Sequence, residues 1–254
     1  MKYLFLGDTH GDTAFAGLAA LYARDHGIDT IIQLGDWGYL WPRDDKIKTL
    51  SRIMSDHGLT MRFIDGNHDD HPRLRAIAPN HEGTVYLSDS VIYQPRGSAW
   101  TGPDGTRFLF LGGACSIDRS LRARGRSWWP EEVITEGEML TALAAGERGV
   151  DVLVTHDTVA YPPGKGPVNL ERDPTFDRDA TDSMMRIRQV CDAVRPRLLV
   201  HGHWHMRYTG MRRYPHTEFV TRIEGLDCNL STLEDAFLEW EREDRASGGA
   251  SPAS

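Results

Sequence analysis

Five short motifs, spread along the chain, carry side chains that bind divalent metals. They are Gly7-Asp8-Thr9-His10-Gly11, Gly35-Asp36, Gly66-Asn67-His68-Asp69, Thr155-His156 and Gly202-His203-Trp204-His205. Carboxylate, amide and imidazole groups without thiolate are typical ligands of Mn, Fe, Zn or Co. Two such ions about 3.5–4 Å apart can hold a bridging hydroxide and bind a phosphate during in-line displacement. The motifs therefore predict a two-metal centre, with Asp36 as the candidate bridging carboxylate.

Each motif follows an apolar segment that we interpret as a β-strand, at 2–6, 30–34, 60–64, 150–154 and 197–200. In an open α/β sheet, ligands bind at the carboxyl ends of the strands, so loops from separate strands should converge on one site. Asp8 and His10 are two residues apart, as are His203 and His205, and on an extended backbone such pairs point the same way. The motif glycines are expected to allow sharp turns directly after the strands.

The rest of the pattern indicates how these strands are connected. Helices are predicted at 13–26 (with Thr13 as its cap), 44–57, 130–146 and 181–194. Their alternation with the first three strands predicts parallel pairing through helical crossovers. Short strands at 85–87, 91–93 and 107–111 suggest an antiparallel meander, and 208–230 suggests further strands. We predict a single domain over 1–245 and a disordered tail at 246–254.

Composition narrows the functional classes. The chain has 254 residues, 40% hydrophobic and 26% charged, as in soluble globular proteins, and no apolar run reaches the roughly 20 residues of a membrane span. We therefore expect no membrane partner. The net charge of −8 argues against non-specific nucleic-acid binding as the main activity. Three widely spaced cysteines, Cys115, Cys191 and Cys228, favour buried thiols in a reducing cytoplasm over a disulfide framework or a zinc finger.

The ordered set D-x-H, G-D, G-N-H-[DE], H and G-H-x-H resembles the calcineurin-like metallophosphoesterases over residues 7–205. The resemblance implies an α/β fold, a four-layer αββα sandwich with two mixed sheets and a dimetal site at the carboxyl ends of the strands. It implies two divalent metal ions, for which Mn is the favoured metal and Fe, Zn, Co, Ni and Mg are the alternatives. It assigns Asp8, His10, Asp36 and His205 to the first ion, and Asp36, Asn67, His156 and His203 to the second.

The resemblance also implies a phosphoester hydrolase in which a hydroxide between the metals attacks phosphorus. Asp36, Asn67 and His68 are its implied catalytic residues, and His68 would protonate the leaving alkoxide. Many relatives carry an aspartate and an arginine after the Gly-Asp motif, but here Asp36 is followed by Trp37-Gly38-Tyr39-Leu40-Trp41. A protein serine/threonine phosphatase is therefore disfavoured, and Asp69 or Asp70 would have to orient His68.

The substrate stays open at this stage. Phosphodiesters are favoured, such as a cyclic nucleotide or a nucleic-acid end. The alternatives are a small-molecule or nucleotide phosphomonoesterase, a dinucleoside polyphosphate hydrolase, a nuclease acting on short nucleic acids, and a non-catalytic scaffold. A scaffold would tend to lose metal ligands or the acid histidine, and this chain retains all of them.

Two further segments are candidates for substrate contact, each with a plainer alternative. Trp37 either packs in the core or stacks on a nucleobase. The segment with Arg119, Arg122 and Arg126 is either a solvated loop or a phosphate-binding loop, since arginine binds phosphate through paired hydrogen bonds. Lys165 lies in a loop rich in glycine and proline. Either this loop is a plain connection between two elements, or Lys165 contacts a phosphate.

Overall fold

The computed structural model describes residues 1–41, 44–81, 83–166 and 175–242. The predicted tail at 246–254 lies outside these ranges, so its disorder stays a prediction, as does the assignment of 1–245 to one domain. Within the described ranges, no helix combines the length and the apolar composition needed to cross a membrane.

Fourteen strands and six α-helices make up the described part of the chain. The strands are β1 (Lys2–Leu6), β2 (Thr30–Gln33), β3 (Leu40–Trp41), β4 (Asp44–Asp45), β5 (Thr60–Phe63), β6 (Val85–Ser88), β7 (Val91–Tyr93), β8 (Ala99–Thr101), β9 (Arg107–Leu111), β10 (Val152–Thr155), β11 (Leu198–His201), β12 (Tyr208–Arg213), β13 (Val220–Gly225) and β14 (Phe237–Glu241). The helices are α1 (Thr13–Asp25), α2 (Ile47–Asp56), α3 (His71–Arg75), α4 (Glu136–Gly146), α5 (Phe176–Val194) and α6 (Leu233–Ala236).

The strands form two six-stranded mixed sheets, apart from the small β3–β4 hairpin. The first sheet has the order β14-β1-β2-β5-β7-β6, and the second has the order β12-β13-β11-β10-β9-β8. β1, β2 and β5 are parallel, which confirms the predicted crossovers. The predicted meander is wrong, because the antiparallel pair β6–β7 belongs to the first sheet and the pair β8–β9 to the second.

Alternating residues of the strands divide the core into layers. Tyr3 and Phe5 of β1 point to one side and meet Phe108 and Phe110 of β9, so the two sheets pack face to face. The other side of the first sheet packs against α1 and α2, and the other side of the second sheet packs against α4 and α5. The predicted four-layer αββα sandwich is confirmed.

Four helix starts differ from the prediction. α5 begins at Phe176 rather than at 181, and the other three differ for local reasons. Asp12 rather than Thr13 caps α1, because its side chain accepts hydrogen bonds from the first-turn amides. The second helix begins only at Ile47, since the two preceding aspartates of β4 pair with β3. α4 begins after Thr135, which forms a capping box with Glu138, whereas Pro130–Glu132 is a separate 3₁₀ turn.

A buried ion pair anchors the end of β5 to the segment that connects β7 with β8. Asp65 is 1% exposed and accepts two hydrogen bonds from Arg96, at 2.6 and 2.9 Å, and one from Tyr93 at 2.9 Å. His71 lies 3.4 Å away on the same carboxylate. Burial alone would raise the pKa of Asp65, but Arg96 and His71 hold it well below its usual range. The pair fixes the chain just before the Gly66-Asn67-His68 motif.

We predict that Asp65→Asn lowers the free energy of unfolding by roughly 3–5 kcal/mol, because it removes the buried counter-charge of Arg96 and leaves only Glu138, at 3.2 Å, to pair with it. Since the folded pKa of Asp65 lies below the unfolded value, its contribution is present above about pH 4 and is lost as the pH falls below that. The difference between the two proteins in urea unfolding should therefore shrink in acid.

The matched control is Asp25→Asn, because the Asp25 carboxylate is 59% exposed in a surface pair with Arg24. This control should change the free energy of unfolding little. Equal effects of the two substitutions would contradict the role assigned to Asp65.

Candidate metal centre

The five motifs meet at one edge of the sandwich. β1, β2 and β5 of the first sheet and β10 and β11 of the second all end there. The loops of the two sheets are joined at this edge by a buried hydrogen bond of 2.7 Å from Nδ1 of His156 to the carbonyl oxygen of Leu34. The sequence-based placement of the motifs at strand ends is therefore matched by the fold.

One group of predicted ligands forms a compact cluster. Donor atoms of Asp8, His10, Asp36 and His205 all lie within 4.8 Å of one another. His205 Nε2 is 3.1 Å from Asp8 Oδ2, and His10 Nε2 is 3.6 Å from Asp36 Oδ2. Both carboxylates are buried, whereas the two histidines reach the surface. These four side chains form a candidate site for a divalent cation.

A second group faces the other oxygen of Asp36. His156 Nε2 lies 3.3 Å from Asp36 Oδ1 and 3.1 Å from Asn67 Oδ1. The ring of His203 is 5.1 Å from that of His156. Nδ1 of His156 donates to Leu34, so in a neutral His156 the proton is on Nδ1 and Nε2 carries a lone pair. This lone pair faces Asp36 Oδ1 and Asn67 Oδ1. Three acceptors that face one another in this way fit a cation between them.

The orientation of the Asn67 amide is dictated by its neighbours. The Ser116 hydroxyl donates to Glu132 Oε2 at 2.6 Å, and it can therefore only accept from Asn67 Nδ2 at 3.0 Å. Glu132 is fully buried and also accepts from the Ser116 backbone amide. This chain of hydrogen bonds turns Asn67 Oδ1 towards His156. Outer contacts of this kind orient metal ligands and tune their affinity.

His10 is oriented in a similar way from the other end of the chain. Its Nδ1 donates to Asn229 Oδ1 at 3.0 Å, which leaves Nε2 directed at Asp36. Asn229 is itself held by Asp12 and by the backbone oxygen of Asp8. No local sequence signal marks Asn229, Ser116 or Glu132, because none of them lies in a ligand motif. Ser116 could have been suspected only from its position after β9, at the same sheet edge.

Four of the predicted ligands adopt a backbone conformation that residues other than glycine rarely use. The φ angles are +46° at His10, +50° at Asp36, +67° at His203 and +45° at His205. These side chains therefore converge through left-handed turns. The expectation that the pairs Asp8/His10 and His203/His205 lie on an extended backbone is wrong. Strained residues of this kind persist where the surrounding structure fixes them, and they cluster at functional sites.

Three motif glycines, Gly7, Gly66 and Gly202, are required by close approach rather than by turn geometry. A Cβ at Gly7 would lie 1.8 Å from the carbonyl oxygen of Asp227, and Gly7 has no positive φ angle. A Cβ at Gly202 would lie 2.0 Å from Asp8 Oδ1, and a Cβ at Gly66 would lie 2.2 Å from Asp36 Oδ1. Neither residue has a positive φ angle, in contrast to Gly35. The expectation of sharp turns at every motif glycine is thus corrected.

The electrostatic field of the centre favours positive charge. Burial disfavours protonation of both His10 and His156, yet Asp36 and Asp8 raise their pKa values to about 9 and about 10. The pKa of Asp36 is held well below its usual range by the neighbouring histidines, against the effect of burial. By contrast, burial and the charge of His156 lower the pKa of His203 to about 3. Divalent cations fit a site with this donor set and this field.

His68 lies beside the cluster and outside the set of candidate ligands. Its backbone amide donates to Asp36 Oδ1 at 2.7 Å, and its side chain lines the same cavity as Asp36 and Asn67. Asp69 accepts hydrogen bonds from the amides of Gly66, Trp37 and Gly38, so its carboxylate holds two ligand loops together. Asp70 caps α3. Within the described residues, neither aspartate forms a hydrogen bond with the His68 ring.

The predicted substrate contacts have different outcomes. Trp37 is fully buried and stacks on Phe63 with ring centroids 3.9 Å apart, so its prediction as a substrate contact is wrong. Arg119 is only 9% exposed and pairs with Asp179 of α5 at 2.8 Å, outside the cavity at the metal centre. The apolar and arginine-rich patterns could not show which way these side chains point.

The other three candidates lie in different surroundings. Arg122 donates to the Ser116 hydroxyl at 3.0 Å and approaches the Asn67 carbonyl oxygen, so it supports the ligand loop. Arg126 is exposed and does not line the cavity, and its contact with substrate stays a prediction. Lys165 does line the cavity at the metal centre.

A family model described as calcineurin-like phosphoesterase matches residues 1–207. The chain belongs to the calcineurin-like phosphoesterase family. The family and the candidate cluster together point to divalent metals and to phosphoester hydrolysis as the class of chemistry. No curated protein matches the sequence.

Solved structures of low sequence identity share the calcineurin-like fold. A dimetal phosphatase from Danio rerio has a TM-score of 0.59 at 13% identity, with 94% of this chain and 91% of that chain covered. The protein TT1561 of Thermus thermophilus has a TM-score of 0.52 at 14% identity, with 89% of each chain covered. At these identities the likeness shows the fold alone.

We predict that Ser116→Ala weakens binding of the more weakly held of two Mn²⁺ ions by about 10-fold or more, because the Asn67 amide loses the acceptor that orients it. Isothermal titration of the metal-free protein measures this directly. Ser120→Ala, an exposed serine in the same loop, is the matched control. Unchanged affinities in Ser116→Ala would show that the hydrogen-bond chain does not position the ligand.

Proposed function

We propose that the chain is a two-cation phosphoester hydrolase in which Asp36 is shared by both ions. The observation that carries this proposal is the position of the Asp36 carboxylate, whose Oδ2 faces His10 at 3.6 Å and whose Oδ1 faces His156 at 3.3 Å. The first ion would be held by Asp8, His10, Asp36 and His205, and the second would be held by Asp36, Asn67, His156 and His203. A non-catalytic scaffold is disfavoured because every member of this set is retained.

When bound, the two cations activate water and neutralise charge that develops on the phosphoryl group. The residues of the chain supply orientation and proton transfer. Asn67 and His68, which both line the cavity, hold phosphoryl oxygens, and the His68 imidazole protonates the leaving alkoxide. General acid catalysis of this kind contributes about 10²–10⁴-fold to the rate. The buried Asp8 and Asp36 fix the cations that the reaction needs.

Among possible substrates, phosphodiesters are favoured. Among the described residues that line the cavity, Lys165 is the one lysine and there is no arginine. A diester carries one negative charge, whereas a monoester carries close to two at neutral pH. A cavity with few cations beyond the metals therefore suits a diester better than a monoester or a dinucleoside polyphosphate. Two of the arginines that would support a nuclease have partners within the protein. Arg119 pairs with Asp179, and Arg122 donates a hydrogen bond to Ser116.

Manganese is the first metal to test, because the donor set combines carboxylates with imidazoles. The three cysteines are free and buried, which is compatible with the cytoplasm as the compartment in which the protein acts.

We expect His68→Ala to lower turnover by about 10²–10⁴-fold while both Mn²⁺ ions still bind, since His68 is an acid and not a ligand. Asp36→Asn should lose both turnover and the paired binding of metal. Hydrolysis of an alkyl phosphodiester, whose alkoxide leaving group needs a proton, and metal content, measured on the same samples, separate these outcomes. His26→Ala, an exposed histidine at the end of α1, serves as the control. Wild-type turnover in His68→Ala would refute the assigned role.

We also expect manganese-dependent hydrolysis of bis(p-nitrophenyl) phosphate to exceed that of p-nitrophenyl phosphate, as judged by kcat/KM. The reason is the small number of cations in the cavity, which offers little compensation for a second negative charge. A preference for the monoester would contradict the diester assignment and would direct the search to phosphorylated metabolites and nucleotides.

A further inference from the structure

The cavity at the metal centre extends well beyond the predicted ligands. Its volume is about 470 Å³, within the range of roughly 300–1,000 Å³ that is usual for small-molecule sites. One part is lined by the metal-centre residues and His68. The remainder is lined mainly by apolar and aromatic side chains from four separate segments, namely Cys115, Ile117, Tyr161, Ala180, Met184 and Trp204. A phosphate alone would leave this second part unused.

Trp204 is a fixed aromatic wall of this part. Its Nε1 donates to Asp157 Oδ1 at 2.9 Å, and its ring meets Tyr161 edge-on with centroids 5.6 Å apart. Because Trp204 lies between His203 and His205 in the chain, its position is tied to that of the metal centre. Aromatic rings held in this way bind flat apolar groups at little entropic cost.

Ile117 adds an apolar surface that the fold leaves open. Its side chain is 44% exposed and lines the same cavity, next in the chain to the ligand-supporting Ser116. Met184 of α5, 5% exposed, lines the cavity from a distant segment of the sequence. A single exposed isoleucine is common in soluble proteins, but here it shares a cavity with an aromatic wall.

The polar groups of this part point to an uncharged ligand with a hydrogen-bond donor. Besides the metal-centre residues, the charged residues that line it are Asp118, Asp157 and Lys165. Asp157 is already occupied by Trp204 and by the Thr158 amide. Asp118 Oδ1, in contrast, is buried and has no hydrogen-bond partner in the described structure. An unpaired buried acceptor is costly, and a donor on a bound ligand would satisfy it.

We infer that this cavity binds the organic part of the phosphoester as an uncharged aromatic group, against Trp204 and Ile117, with Asp118 accepting a hydrogen bond from it. The inference rests on the proposed function, which puts the phosphate at the metal centre. Nucleobases and simple aryl alcohols share the aromatic chemistry, and a nucleobase such as thymine also supplies an N–H donor.

The test is a calorimetric titration of the manganese-loaded protein with methylphosphonate, benzylphosphonate and a non-hydrolysable thymidine phosphonate. Benzylphosphonate should bind about 10-fold or more tightly than methylphosphonate, because its ring is removed from water. Ile117→Ala should reduce this preference several-fold. Leu121→Ala, which removes an apolar side chain that is 75% exposed and outside the cavity, should not. A second matched pair lies on α5, with Met184→Ala, at a residue that lines the cavity, as the test and Met185→Ala, at an exposed residue, as the control.

The hydrogen bond is tested by Asp118→Ala, which should weaken the thymidine phosphonate and leave benzylphosphonate unchanged. A thymidine phosphonate that binds no more tightly than benzylphosphonate would overturn the donor part of the inference. Equal binding of methylphosphonate and benzylphosphonate, or an unchanged preference in Ile117→Ala, would overturn the aromatic part.

Hydrolysis of aryl phosphoesters by the same samples separates this inference from the proposed function. Hydrolysis with equal phosphonate binding would contradict the cavity assignment alone. Preferential binding of benzylphosphonate without any hydrolysis would contradict the proposed function and support the cavity assignment.

Discussion

The burial of two carboxylates at one edge of the sandwich is the constraint on which the rest of this structure depends. Asp8 and Asp36 are 0% and 1% exposed, and a buried charge is costly unless it is paired. Their ion-pair partners are the histidines His10, His156 and His205. Further compensation comes from the backbone amides of His68 and His203. Positive charge stabilises such a centre, and protonated histidines or divalent cations can supply it.

The same constraint explains why the surrounding backbone is unusual. His10 and His205 approach these carboxylates through left-handed turns, and the loops approach closely where Gly66 and Gly202 have no Cβ. The cost of that geometry is offset by buried hydrogen bonds further out. The Asp65–Arg96 pair fixes the end of β5, and the Ser116–Glu132 pair orients the Asn67 amide. Chemistry at the centre therefore depends on residues that touch no cation.

Much of this arrangement could be predicted from the sequence, because the ligands follow strands and strand ends share an edge. The layers are implied by the resemblance to the calcineurin-like metallophosphoesterases, and the structure shows their basis, since alternating residues of β1 and β9 face each other. Contacts between distant segments could not be predicted: nothing near Asn229 indicates that it orients His10. Likewise, the aromatic residues after Asp36 do not show their direction, and Trp37 turns inward to stack on Phe63. β14 is absent from the sequence-based prediction because its short alternating pattern is completed only by pairing with β1.

The shared role of Asp36 is the central claim, and electron paramagnetic resonance of the manganese-loaded protein tests it most directly. Two ions bridged by one carboxylate interact magnetically, so the account predicts the spectrum of a coupled pair in the wild-type protein. In Asp36→Asn the same measurement should show only isolated Mn²⁺ or none. A wild-type spectrum of isolated Mn²⁺ alone, at full metal loading, would contradict a shared ligand and with it the two-cation centre.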